Sequence, residues 1–201
     1  MEFLGMRLIL LPHVFDPRYA VSTSILVKAV RRWIARGSRP RKVLEIGCGS
    51  GAVSIAVARE AGCKVVGYDV STSAVEAARL SARINGVENR TLFTADWSEV
   101  VREGPYDLIA LNPPYLPLDP IDDLDTLWCC GSDYRTLREM FARAREASKS
   151  STVVFTTCSS LTPATVCIEM LRALGFDPRP ALYADTPLDR IWVFRASRTQ
   201  P

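Results

Sequence analysis

The chain has 201 residues, 48% of them hydrophobic and 23% charged, with a formal net charge of +3. This length suits one domain, and the balance excludes a disordered or fibrous chain. So small a net charge excludes binding of a polyanion by overall charge; basic residues would have to gather on one face.

Residues 7–14 read as a short extended segment. Residues 22–36 carry Ile25, Leu26, Ala29, Val30 and Ile34 at near-helical spacing, and Gly37-Ser38-Arg39-Pro40 breaks that helix. Residues 42–46 form an apolar strand that enters a glycine-rich turn, and residues 52–61 return to helical periodicity. A second strand, 64–68, ends at Asp69. The next helix starts at a cap, Ser71 or Ser73, and runs to about Ile84, where Asn85-Gly86 stops it. Residues 91–94 are a third strand and 106–111 a fourth, which ends in Asn112-Pro113-Pro114-Tyr115. A long loop with Pro117, Pro120 and four aspartates follows. Then come a helix (134–149), a strand (152–157), a helix (163–174) stopped by Gly175, and two strands near 179–183 and 191–194.

Alternating apolar strands and helices predict an α/β fold with a parallel sheet covered on both faces. The last two strands lack a helix between them and predict an antiparallel hairpin at one edge. Residues 1–201 are expected to be a single domain, with 1–21 as an N-terminal extension that closes over the site and 22–201 as the core. The N-terminal stretch lacks a basic segment and a cleavage site, and no apolar run matches a bilayer; a cytoplasmic location is expected.

The cysteines Cys48, Cys63, Cys129, Cys130, Cys158 and Cys167 include no C-x-x-C pair, and His13 is the single histidine. No metal site is expected, and the thiols read as buried and free.

The turn Leu44-Glu45-Ile46-Gly47-Cys48-Gly49-Ser50-Gly51 lies between a strand and a helix, where glycines let the backbone approach a ligand. Asp69 ends the next strand, placed to accept hydrogen bonds from ribose hydroxyls. Asp96-Trp97 follows the third strand, with an acceptor and an aromatic face for an adenine. A nicotinamide dinucleotide enzyme competes for this pattern, since Gly47, Gly49 and Ala52 satisfy a loose dinucleotide fingerprint. Glu45, Asp96-Trp97 and the turn at Asn112 favour S-adenosylmethionine.

The Asn112 turn sits at the carboxyl end of a strand, which faces the ligand crevice in an open α/β sheet. Its prolines stiffen the backbone and remove two amide donors. The Asn112 side-chain oxygen and the Pro113 carbonyl can then accept the two N–H groups of a planar nitrogen nucleophile. Tyr115 can pack on its flat face.

Glu45 to Gly51, Asp69 with Val70, Asp96-Trp97 and Asn112-Pro113-Pro114-Tyr115 together resemble the HemK/PrmC-type methyltransferases, over about residues 14–194. The resemblance implies a seven-stranded, mostly parallel, Rossmann-like class I methyltransferase sheet. It implies S-adenosylmethionine as cofactor, bound by Glu45, Gly47, Cys48, Gly49, Ser50, Gly51, Asp69, Val70, Asp96, Trp97 and Asn112. Catalysis falls to Asn112, Pro113, Pro114 and Tyr115. The implied substrate is the glutamine amide in the Gly-Gly-Gln loop of a translation release factor. Adenine-N6 methyltransferases of DNA and RNA share the Asn-Pro-Pro-Tyr turn and give the alternative. Only about twenty residues precede the first helix, which is similar to the short archaeal and eukaryotic members. Those pair with a small zinc-binding activator at the third-strand edge, here residues 91–94. One departure stands out: after Phe15-Asp16-Pro17-Arg18, the segment Tyr19-Ala20-Val21-Ser22-Thr23 lacks the acid usual in the family.

Three other features invite weaker readings. Cys158 follows the fifth strand, where RNA cytosine-C5 methyltransferases carry a nucleophile, but no neighbouring cation is visible and a buried thiol is preferred. Arg31, Arg32, Arg36, Arg39, Arg41 and Lys42 read as a solvated basic face. Asp119, Asp122, Asp123 and Asp125 would repel phosphates and favour a basic protein loop as substrate.

Overall fold

A computed structural model of the protein describes residues 1–19 and 21–199. The chain opens with a two-stranded hairpin, β1 (Glu2–Phe3) and β2 (Met6–Arg7), which the sequence pattern did not announce. The main elements then follow as α1 (Val21–Ala35), β3 (Lys42–Ile46), α2 (Ala52–Ala61), β4 (Lys64–Tyr68), α3 (Thr72–Ile84) and β5 (Thr91–Thr94). After these come α4 (Trp97–Glu103), β6 (Tyr106–Leu111), α5 (Arg135–Glu146), β7 (Ser148–Ser159), α6 (Ala164–Ala173), β8 (Phe176–Asp185) and β9 (Arg190–Arg198).

Seven strands form one sheet in the order β5-β4-β3-β6-β7-β9-β8. The first five are parallel; β9 runs antiparallel to β7, and β8 antiparallel to β9. Successive side chains of the central strands go to opposite faces. Val43, Val65, Leu108 and Ala110 pack with α1, α2 and α3, whereas Leu44, Val66, Ile109 and Leu111 pack with α4, α5 and α6. This two-sided burial is why the strands read as continuous apolar runs rather than alternating ones.

Three differences from the sequence pattern have local causes. Helix α4 is only seven residues long, too short for a periodic signal, and starts because the Asp96 carboxylate accepts from the Ser98 amide at 2.8 Å. Strand β7 begins four residues early because Ser148 pairs with Tyr106 across an irregularity. Ser71, not Ser73, caps α3 through its hydroxyl and the Ala74 amide.

Gly67 in β4 has a packing reason to be glycine. A Cβ there would lie 2.4 Å from the buried Phe93 ring of β5 and 3.2 Å from the Cys48 Cβ. Gly67→Ala is expected to destabilise the fold by about 1–3 kcal/mol through overpacking. Urea unfolding checks this; an unchanged midpoint contradicts it.

The loop between β6 and α5 closes on itself. Cys130 and Gly131 donate backbone N–H groups to the Leu116 and Leu118 carbonyls at 2.8 and 3.0 Å. Among the described residues, no helix is long and apolar enough to cross a membrane.

Candidate active site

The carboxyl ends of β3, β4 and β6 open into one cleft of about 840 Å³. Its floor is the glycine turn after β3. Gly47 and Cys48 donate their amides to the Tyr68 carbonyl at 2.8 and 3.0 Å, which ties the turn to β4. Gly47 and Gly49 take φ of +73° and +51°, the left-handed region that glycine enters without penalty. A Cβ on Gly49 would meet nothing within 4 Å, so its backbone lies open to a ligand.

Two carboxylates brace this floor. Asp69 accepts from the Gly49 amide at 2.9 Å with one oxygen and from the Ser71 amide at 3.0 Å with the other. Each oxygen keeps a second lone pair for a hydroxyl donor. Burial raises the Asp69 pKa against the lowering effect of these amides. Glu45 is buried within β3 and accepts from the Ser54 amide at 2.8 Å and the Ser54 hydroxyl at 2.5 Å. Burial dominates those bonds and pushes its pKa up to about 8.

A carboxyl whose native pKa exceeds its unfolded value binds its proton more tightly when folded. Stability is then full at low pH and falls as pH rises from the unfolded value of 4.5 toward 8. Asp69, also raised, adds a slope of the same sign from lower pH. Denaturation of the wild type between pH 5 and 8 is expected to show falling stability. Glu45→Gln should flatten that slope, and an equal slope in both proteins contradicts the assignment.

The Asn112 turn forms the opposite wall. The Thr157 hydroxyl of β7 donates to Asn112 Oδ1 at 2.5 Å, and Asn112 Nδ2 donates to Thr23 Oγ1 of α1 at 3.1 Å. The Tyr115 carbonyl accepts from the buried Thr162 hydroxyl. Tyr115 and Leu116 both donate to the Trp128 carbonyl, at 3.1 and 2.8 Å. Phe15 meets the Trp128 ring edge-on at 4.9 Å, so the N-terminal segment and the long loop touch across the mouth. Burial, and then the Asp189 carboxylate, hold the Tyr115 phenol above its ordinary pKa.

Of the residues singled out in the sequence, Glu45, Gly47, Cys48, Gly49, Ser50, Asp69, Val70, Asn112, Pro113, Pro114 and Tyr115 line the cleft. Gly51, Asp96 and Trp97 lie outside that lining. Gly51 instead admits the close packing of α3, since a Cβ there would be 3.2 Å from the Ala78 Cβ. Both Asp96 oxygens are engaged by Ser98. Trp97 stands one ring behind the cleft, edge-on to Tyr68 at 5.0 Å, with Nε1 on Glu146. Arg143 bridges the two rings from above, 5.0 Å from the Tyr68 centroid and 4.8 Å from that of Trp97. The reading of the sequence missed the contribution of α5, whose Thr136, Glu139, Met140 and Arg143 line the cleft without forming a motif. It also missed the pairing of Thr23 and Thr157 with Asn112. All six cysteines are free and buried, and burial raises the Cys158 thiol well above its usual pKa, which leaves no thiolate for attack.

The sequence pattern of the methyltransferase small domain matches residues 6–121. The chain belongs to this family. A Methanocaldococcus jannaschii protein provisionally named as a protein N5-glutamine methyltransferase is 33% identical over 202 residues, which cover 98% of each chain. The release factor glutamine methyltransferases of Agrobacterium fabrum and Bordetella pertussis are 33% and 38% identical over 62% and 57% of this chain. Those matches cover only 44% and 42% of the two bacterial proteins. In fold, the ribosomal protein L11 methylase of Lactobacillus delbrueckii subsp. bulgaricus superposes with a TM-score of 0.66 at 17% identity, over 93% of this chain and 82% of that one. This methyltransferase depends on S-adenosylmethionine.

The cleft fits that cofactor on its own chemistry. An exposed glycine backbone permits close approach, and Asp69 has lone pairs for a ribose diol. Glu139 on the wall is held in an ion pair by Arg143 at 2.7 Å, so the two charges offset each other there.

Proposed function

We propose that this methyltransferase modifies the side-chain amide nitrogen of glutamine in the Gly-Gly-Gln loop of a translation release factor. The Asn112-Pro113-Pro114-Tyr115 turn, set at the cleft with its carboxamide fixed, carries this reading. The 33% identity to the M. jannaschii protein over nearly its whole length supports the glutamine amide as the target.

In this reading Gly47, Cys48, Gly49 and Ser50 hold the cofactor against the floor and Asp69 takes its ribose; Val70, exposed at the rim, borders it. Asp96, with both oxygens held by Ser98, and Trp97, edge-on behind Tyr68, back the cleft wall rather than touch the cofactor. The bound cofactor supplies an electrophilic methyl group on sulfur. Asn112 Oδ1 uses its second lone pair to accept one amide N–H, and the Pro113 carbonyl accepts the other. Tyr115 packs on the plane of the amide. Holding the nitrogen in line in this way contributes on the order of 7–11 kcal/mol to lowering the barrier. No strong base is required before transfer, because the proton leaves the nitrogen afterwards.

The cleft mouth supports a protein rather than a nucleic-acid substrate. Ile121, Leu118 and Leu124 are exposed on the long loop, and Asp123 lines the cleft beside them. The Asp123 carboxylate and the apolar side chains there oppose a phosphate backbone, whereas Asp119 is paired with Arg135 at 2.6 Å. The edge strand β5 has no strand on its outer side, where Arg79 donates to the Phe93 carbonyl at 2.7 Å; a small zinc-binding activator subunit pairing there would displace that contact. Within one domain, Phe15 and Pro17 act as the lid of the cleft, whereas Phe3, Met6 and Leu8 of the same N-terminal segment are buried in the core.

Incubation with radiolabelled S-adenosylmethionine, a release factor and the candidate activator tests this. Label on the release factor, lost when its Gly-Gly-Gln glutamine is changed, is the expected result. Label in nuclease-sensitive material instead would establish adenine-N6 methylation.

A further inference from the structure

We infer that Thr157 is a positioning residue for the reaction, acting through Asn112. The inference rests on the amide-methylation reading for its catalytic consequence, but its geometry stands apart from any substrate.

A free asparagine side chain turns broadly about its last torsion, which is shallow and nearly two-fold. A nucleophile held by such a group would sample many angles. Here the carboxamide is gripped at both ends from two other elements, β7 and α1. Thr157 is 1% exposed on β7 and donates its hydroxyl to Oδ1 at 2.5 Å. Thr23, 6% exposed in the first turn of α1, accepts from Nδ2 at 3.1 Å. Strand β7 pairs with β6 up to Leu111↔Thr156, so Thr157 stands one residue beyond the ladder, beside Asn112. The same β7 exit carries Thr162, whose hydroxyl bonds the Tyr115 carbonyl, so the turn is braced at both ends from one connection.

The consequence for chemistry is directional. With Thr157 occupying one lone pair of Oδ1, the remaining one defines where an N–H donor must sit. The hydroxyl is the instrument; the methyl group of Thr157 only fills space. A residue of the same shape without the hydroxyl therefore separates positioning from packing.

The test compares Thr157→Val, which keeps shape and loses the donor, with Thr157→Ser, which keeps the donor. The first readout is the Asn112 side-chain amide in the NMR spectrum, identified by its loss in Asn112→Ala. Its hydrogen exchange should speed up several-fold or more in Thr157→Val and stay near wild type in Thr157→Ser. The Asn85 side-chain amide, bonded to the Ser81 carbonyl at 2.7 Å, is the internal control and should not change. The second readout is kinetic. Thr157→Val should lose about 10–100-fold in kcat, as expected for a small misplacement, with S-adenosylhomocysteine affinity by calorimetry unchanged and Thr157→Ser restoring the rate. Unchanged Asn112 exchange in Thr157→Val overturns the inference, as does a rate loss that Thr157→Ser fails to restore. If the wild type labels no release factor, the substrate reading falls while the NMR comparison still decides the role of Thr157.

Discussion

Asn112→Ala is expected to lower turnover about 10²–10³-fold, the scale seen when one preorganised hydrogen-bonding group is removed from a reacting centre. S-adenosylhomocysteine affinity should stay within about twofold. The reason is placement: the Asn112 amide is held by β7 and α1 on the wall facing the glycine turn, whereas the floor is braced by Asp69 and Glu45. The variant forfeits two side-chain hydrogen bonds, at a net cost to stability of about 1–3 kcal/mol. Rates should therefore be compared well below its unfolding temperature. Single-turnover kinetics on the release factor, with calorimetry for affinity, separates the two effects. A collapse of cofactor affinity in this variant would show that Asn112 belongs to the cofactor wall instead.

Asp69→Ala should do the reverse. Two charge-assisted hydrogen bonds to a ribose diol are worth enough together to predict a loss of about 10²-fold in cofactor affinity. The Gly49 and Ser71 amides also lose their acceptor, so the glycine floor itself loosens. Turnover at saturating cofactor should recover much of the wild-type value. Asp69→Asn is a stricter version, because one oxygen becomes an NH₂ that must face one of those two amide donors. Calorimetric titration of Asp69→Ala with S-adenosylhomocysteine settles the matter; an unchanged dissociation constant would remove Asp69 from the ribose.

The central architecture was legible because burial on both faces leaves a plain record. The apolar runs 42–46, 64–68 and 106–111 match β3, β4 and β6 residue for residue. The glycine turn was legible because left-handed backbone at Gly47 and Gly49 tolerates no other residue cheaply. Elements fixed by single side-chain contacts left no such record. Helix α4 depends on one aspartate cap, and the β1–β2 hairpin on two paired residues per strand. The cleft face of α5 was invisible for a related reason. Thr136, Glu139, Met140 and Arg143 share a helical face, but polar and flexible residues there look like any solvated surface. The grip on Asn112 joins residues 23, 112 and 157, which only the fold brings together.

The self-closing loop between β6 and α5 bears on how such an enzyme changes its target. Its ends are already hydrogen-bonded to each other at Leu116 with Cys130 and Leu118 with Gly131. Extra residues inserted between those latches lengthen a closed ring, whose entropic cost grows only with the logarithm of its length, about 0.6 kcal/mol per doubling. The cofactor floor, built from β3 and β4, does not sense the insertion. Acceptor choice can thus drift through insertions and deletions near Ile121 and Asp123 while the methyl-donor half stays as it is.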